Sequence, residues 1–542
     1  MEFPHLSSTN HVPLEAESQH IRALVETAEE EQNRVRQELD ETRAKERKLV
    51  ERDDALTERI RSLKAIVSAT RRMPPEILSN IFLLATQAAV EQEDRWEVDL
   101  VDSEGDLEWD DTRGATNARA FLRLSQVSSR WRAVAQTTSL LWRTLRFDLG
   151  PYCRLRGDGV VSLIMHFAHL SQPYGLQLAF KSHKQYTRGM PLAVLWSCGH
   201  QLASLELKVP GSLLAPLLGL PSRTFHKLKR LEINLYDGTD SGLLGDIPGL
   251  ASAQHLEDLK LVMRSTTSAE RLLPAPNSSS WNTLRTLDIC SHSGLNLGGV
   301  YLSLQSCHSL QQLALSMEEV DDLLGPEARI KGVLRLEQLV SFTLQIDYGL
   351  DDEMAPFITM LFAPQLTALS LKGSFLVGAV VEFLEHSNKP PISTLRLESC
   401  VREDTDLRGA LLNVLRCVPL VETLALGLQL SPGVDDTFLR ALTILPGGSD
   451  TSEVFLPAMR TLDIAKCAAP LTARAAADMV ESRQVLHVGT GLGNGGHLPG
   501  RCLTGITLSG PRLRRGWMHD GAAWSRIAAL EGTGILHFSS SS

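Results

Sequence analysis

Gly489, Gly491 and Gly493 stand at alternate positions just after Val485-Leu486-His487-Val488, where residue type and spacing suggest reaction chemistry. A strand running from Gln484 into such a loop would let backbone N–H groups approach a cofactor closely. That chemistry also needs a helix directly after the loop and an acidic residue about 20 positions on, inside an α/β domain. Here Asn494-Gly495-Gly496-His497-Leu498-Pro499-Gly500 follows, which cannot start a helix. The segment is expected to be a flexible glycine loop between structural units.

The other chemistry-bearing residues are equally dispersed. Sixteen histidines show no metal-like pairing, and eight cysteines form no C-x-x-C. No G-x-S-x-G, H-E-x-x-H or phosphate-binding G-x-x-x-x-G-K-[ST] occurs. We therefore expect no catalytic residue, no cofactor and no metal: not an enzyme. Met1 to Asn10 lacks a basic stretch leading into an apolar one, so no secretory signal is expected. No apolar run reaches the ~20 residues that cross a bilayer. Free buried thiols in a reducing compartment follow, with a cytoplasmic and/or nuclear location.

What must position residues in this chain is a repeat. Leucine-x-x-leucine-x-leucine/isoleucine, or a close apolar variant, begins at Leu202, Leu228, Leu256, Leu284, Leu310, Leu339, Leu366, Ile392, Val421, Met459 and Leu503. The first eight intervals run from 26 to 29 residues and the last two are 38 and 44. A period of this size predicts an α/β solenoid, whose units cannot bury their apolar faces alone and must stack. The fourth and sixth positions are expected to point inward. Helical stretches at 354–362, 377–387 and 409–417 are expected to end at Pro364, Pro390, Pro391 and Pro419 before the next strand. By period two, the residues between the leucines share the other, concave face. Glu206, Lys208, Arg230, Glu232, Asp258, Lys260 and Asp288 are its densest charges and the candidate substrate-binding residues.

Net charge is −10, but Glu91 to Asp111 alone holds eleven acidic side chains and one arginine. The rest is close to neutral, so nothing favours a nucleic-acid partner.

Residues 15–70 predict a long helix after a disordered 1–14. Apolar residues dominate the set Ile21, Ala28, Val35, Thr42, Leu49, Leu56 and Leu63, spaced seven apart. Four residues further on stand Val25, Gln32, Leu39, Glu46, Asp53, Ile60 and Val67. This is coiled-coil-like, strongest from Leu49 to Val67. Self-association through 21–67 and a single solvated helix held by i,i+4 charge pairs both fit the pattern.

Next, Pro74-Pro75-Glu76 opens a helix, with proline suited to its first turn and glutamate to its dipole. Ile77, Leu78, Ile81, Phe82 and Ala85 form an apolar stripe. An acidic insert at 90–118 interrupts as a loop, and helical patterning resumes at Ala118, running through Trp131 to Trp142.

Met73-Pro74-Pro75-Glu76-Ile77-Leu78 through Ile81-Phe82 resembles the first helix of the F-box. Leu124-Ser125-Gln126-Val127-Ser128-Ser129-Arg130-Trp131-Arg132-Ala133-Val134-Ala135, with Ser139-Leu140-Leu141-Trp142 after it, resembles its second half. The layout is similar to the F-box-like proteins with C-terminal leucine-rich repeats of mushroom-forming fungi. Met73 stands where leucine is usual, and about 30 residues separate the two halves. The boundaries that follow are an F-box-like domain at 73–148, leucine-rich repeats at 150–510, and a C-terminal cap with a disordered Ser-rich tail at 511–542.

That resemblance implies a substrate-recognition subunit of a Skp–cullin–F-box ubiquitin ligase. Pro74, Ile77, Leu78, Ile81, Phe82, Val127, Trp131, Leu141 and Trp142 would bind the Skp adaptor, and through it a cullin. The repeats would hold an unknown protein substrate, while the chemistry would belong to other subunits. The alternative is a non-ligase leucine-rich-repeat scaffold with a degenerate F-box.

Overall fold

The computed structural model describes residues 12–67, 69–99, 116–149, 157–182, 195–214, 221, 224–235, 253–263, 281–292, 295, 297–318, 332–347, 351–373, 376–398, 407–427, 434–444, 455–465, 471–484, 503–509 and 517–539. The chain divides into two compact units, Met1–Ile81 and Phe82–Ser542.

In the first unit, Glu15–Val67 is one uninterrupted helix of 53 residues. No glycine or proline breaks it, and acidic residues in its first turn and Lys64 in its last complement the dipole. A short helix, Ala69–Arg72, follows, and a longer one, Pro75–Asp99, begins where Pro75 predicts and runs past Ile81 into the second unit. It does not stop before the acidic stretch. Residues 75–99 hold no glycine and no further proline, so the helix carries on into the segment expected to be a loop. The centre of that insert, 100–115, lies outside the described residues, as do 1–11 and the 489–493 glycines. Gln484, expected to begin a strand, instead ends a helix, Ala473–Gln484.

The second unit is built on one 14-stranded sheet, parallel throughout and ordered as the chain is. Its strands are β1 (Thr144–Leu149), β2 (Leu176–Ser182), β3 (Leu202–Val209), β4 (Arg230–Leu235), β5 (Asp258–Met263), β6 (Thr286–Ser291) and β7 (Gln312–Met317). Then come β9 (Ser341–Ile346), β11 (Ala368–Lys372), β12 (Thr394–Glu398), β13 (Thr423–Gly427), β14 (Thr461–Ile464), β15 (Gly505–Ser509) and β16 (Leu536–Ser539). Two short strands, β8 (Leu334–Arg335) and β10 (Leu361–Phe362), pair separately.

Leucine placement explains the sheet. The first, fourth and sixth residues of all eleven phrases are at most 2% exposed, and the fourth and sixth lie side by side on neighbouring strands. Leu205, Leu231, Leu259, Leu287 and Leu313 form one such row. Three buried aliphatic side chains contribute roughly 5–9 kcal/mol gross per unit, before conformational entropy is subtracted. Helices Asp351–Thr359, Val377–His386 and Leu407–Cys417 pack on one another as their strands do. The middle one ends through Asn388 and Lys389 at positive φ, with Pro390 and Pro391 preventing continuation.

Three strands escape the eleven phrases. β1 has Trp142 where the phrase has leucine, and β16 has Thr533. β2 meets β3 through a register shift at Leu176/Gln177. The sheet thus begins inside 73–148. At the other end Ser539 is the last residue of β16 rather than part of a disordered tail, and helix Gly521–Gly532 precedes that strand.

Candidate functional site

Two surfaces collect the candidate residues. The first is on the Pro75–Asp99 helix, which is apolar on more than one side. Leu78, Phe82 and Thr86 are buried at i, i+4 and i+8. Ile77 (49% exposed), Ile81 (42%) and Leu84 (68%) fall at i, i+4 and i+7 on the same helix and meet solvent. Pro74 is exposed as well. Leu84 was not among the expected contacts, although its spacing from Ile77 and Ile81 could have found it.

Helices Thr116–Val127 and Ser129–Thr137 carry the second F-box-like segment. The Ser128 hydroxyl caps the latter, accepting from the Trp131 N–H at 3.1 Å. Arg132 Nε donates to the Ser125 carbonyl at 3.0 Å, tying the two helices. Trp131 is half-buried, its ring 4.9 Å from that of Phe82. Val127 is exposed.

The turn Ser139–Trp142 then splits a pair of leucines. Leu141 is 2% exposed, whereas Leu140 is 42% exposed. Trp142 lies in an aromatic cluster with Phe121, His166 and Phe167 at centroid distances of 6.0, 5.7 and 5.0 Å.

Four of the expected adaptor contacts are buried within the chain itself. Leu78, Phe82, Leu141 and Trp142 are core residues of the chain, because burying a large apolar side chain is worth ~1.5–3 kcal/mol and these sit where neighbours can cover them. Pro74, Ile77, Ile81 and Val127 remain at the surface, with Leu84 and Leu140 added.

The second surface is the sheet face away from the core. Strand register sets Glu206, Glu232, Lys260 and Asp288 in one row across β3–β6. Arg230 and Asp258 lie side by side in the next row, between Ser204 and Thr286, and Lys208 sits opposite Asn234 in a third. All seven candidate charges thus come together on four adjacent strands. Lys208 Nζ is 2.8 Å from Glu206 and Lys260 Nζ is 3.8 Å from Asp288. Burial pushes the Asp288 carboxyl above its usual range, and Lys260 partly offsets it. Further along, the central row becomes Ala314, Thr343 and Ser370. Beyond these small residues the same row carries Arg396 and Asp463, so charge of both signs recurs along the face, which suits a polypeptide of mixed charge better than a polyanion.

Eight residues into the phrases, His292 Nδ1 lies 2.8 Å from Glu318, and Asp347 lies 3.4 Å from Lys372 Nζ. These are exposed polar links between neighbouring units. The equivalent Cys400 and Cys467 lie outside the described residues. Burial pushes the Cys198 and Cys307 thiols up to about 12, which leaves them protonated and unreactive near neutrality. Among the described residues no cluster of His, Cys, Asp and Glu could hold a metal ion, and no helix is long and apolar enough to cross a membrane.

Compared with known proteins, the chain matches no family model and no curated sequence.

Proposed function

We propose that this chain is the substrate-recognition subunit of a Skp–cullin–F-box ubiquitin ligase, acting in the cytoplasm and/or nucleus. Leucine-rich repeats form its substrate-holding solenoid. The exposed stripe Ile77–Ile81–Leu84 carries the reading. It lies in the segment that resembles the first F-box helix, opposite residues already committed to the core. An apolar stripe left in water on a helix is the mark of a surface kept for a partner. Val127 and Leu140 are the apolar residues of the second segment that also remain exposed. The mixed-charge face of β3–β6 is where the protein to be ubiquitinated docks. The chain itself supplies proximity and orientation, and other subunits supply the chemistry.

The burial of Leu78, Phe82, Leu141 and Trp142 favours a second reading, a leucine-rich-repeat scaffold whose F-box-like segment no longer engages an adaptor. Co-purification of the full chain with a Skp-family adaptor separates them. The ligase subunit is captured, and Ile81→Asp abolishes capture, since an unpaired charge in an apolar interface costs several kcal/mol. A wild-type chain that fails to bind the adaptor leaves the scaffold reading.

A further inference from the structure

We propose that the Glu15–Val67 helix pairs with the same helix of a second copy, antiparallel and in full overlap, as a two-stranded coiled coil. This stands independently of the ligase reading. A helix of 53 residues is about 80 Å long. Val25, Val35, Leu39, Leu49, Leu56 and Ile60 are all exposed on it. Their spacings of 10, 4, 10, 7 and 4 residues are all sums of alternating threes and fours, the geometry of a coiled-coil seam.

Charge selects the occupant and its direction. Between Glu15 and Thr42 stand nine acidic and three basic residues; between Arg43 and Val67 stand five acidic and eight basic. The helix dipole acts only within the first and last turns and does not account for such a gradient. A second copy running the opposite way lays each acidic half on a basic half. A parallel copy would instead set acidic on acidic and basic on basic.

The seam agrees. In a parallel pair each seam residue meets itself, so Glu46 would face Glu46 and Asp53 would face Asp53. In the antiparallel overlap Ile21 faces Val67, Val25 faces Leu63 and Leu39 faces Leu49. Glu46 then faces Thr42 and Asp53 faces Val35, and no like charges meet in the seam. Beside it, Glu31 approaches Arg52 and Arg59, Glu38 approaches Lys45 and Arg52, and Glu29 approaches Lys64. Leu24 and Ile66, both exposed at opposite ends of the single helix, come together and widen the apolar contact.

Light scattering on the full chain should give twice the 59.6 kDa chain mass. A monomer, or any assembly larger than two, overturns the proposal. Zero-length carbodiimide cross-linking should join Glu29 to Lys64. Within one helix they are about 50 Å apart, so only a second copy can supply the bond. Cross-links confined to positions at equal height, in a mixture of isotopically light and heavy chains, would overturn the antiparallel direction. Leu39→Glu with Leu49→Glu alters two exposed side chains and keeps helix propensity. It should weaken dimerisation at least 100-fold without moving the thermal transition of the remainder. A variant that stays dimeric at the wild-type concentration overturns the seam.

Discussion

The indole Nε1 of Trp142 donates to the Ala135 carbonyl at 2.6 Å, pinning the turn after the second F-box-like segment to the helix before it. Phe121 and Phe167 close around the same ring, and Leu145 and Phe147 of β1 follow within a few residues. The F-box-like segment thereby runs into the sheet without a linker.

Trp142→Ala is expected to cost about 3–5 kcal/mol by leaving a large cavity. Trp142→Phe keeps most of the apolar body and removes the indole bond, while the Ala135 carbonyl still accepts from the Thr138 N–H at 3.2 Å, so the cost is about 1 kcal/mol. Urea titration checks both. Where Trp142→Phe is still folded, adaptor capture should stay within twofold of wild type, because the ring faces the core.

Neighbouring residues on the first F-box-like helix should behave oppositely. Ile77→Asp is expected to leave the thermal transition in place and reduce adaptor affinity at least 100-fold, a loss of about 3 kcal/mol. Leu78→Asp should destabilise the fold itself, since it buries a charge. Parallel melting curves and binding isotherms separate them. Equal loss of binding without unfolding in both would contradict the assigned faces.

Arg483 is buried, yet its guanidinium donates to the carbonyls of Leu442 (2.9 and 2.7 Å), Leu456 (3.0 Å) and Phe455 (2.7 Å). Burial lowers its pKa only to about 10, so it stays charged at neutral pH. Arg483→Met should cost about 3 kcal/mol by removing these charge-assisted bonds. Because each unit touches only its neighbours, faster hydrogen exchange should appear around 442–484 and leave β3–β6 unchanged.

Gly373 has φ +121°, and a Cβ there would lie 2.1 Å from the Ile346 carbonyl oxygen. Gly373→Ala is expected to destabilise by at least ~2 kcal/mol, read as a lower denaturation midpoint. An unchanged midpoint would mean the β9–β11 exit adopts another backbone.

Asp288 gives a pH test. Its raised folded pKa means the folded state holds the proton more tightly than the unfolded state. Its contribution to stability is therefore fully present below the usual carboxylate range and is lost as pH rises through the folded value. Asp288→Asn should match wild type near pH 3 and exceed it at pH 7, read from melting curves at the two pH values. A variant weaker than wild type at pH 7 would show that the Lys260 pair outweighs the burial.

The sheet was legible because each phrase repeats three apolar positions and burial at those positions is worth more than anything competing with it. It was illegible where one position changed character, as at Trp142 and Thr533, or where the strand register shifts at Leu176. The Pro75–Asp99 helix was harder. Ile77, Leu78, Ile81, Phe82, Leu83 and Leu84 surround it with apolar side chains, so its pattern names no inner face; only packing decides. The same holds for Leu140 and Leu141, whose opposite fates depend on one tight turn. The charges of β3–β6 were legible because period two and a common register place them in rows without reference to any side-chain contact.

Spatial order in the sheet copies chain order, so no strand waits for a partner far away along the sequence. Duplicating or deleting one whole segment at the genetic level would give each surviving strand a neighbour of the same kind. Such a molecule can change the length of its sheet by copy number, and the chemistry of the face away from the core by point changes between leucines, while the rules that fold it stay the same.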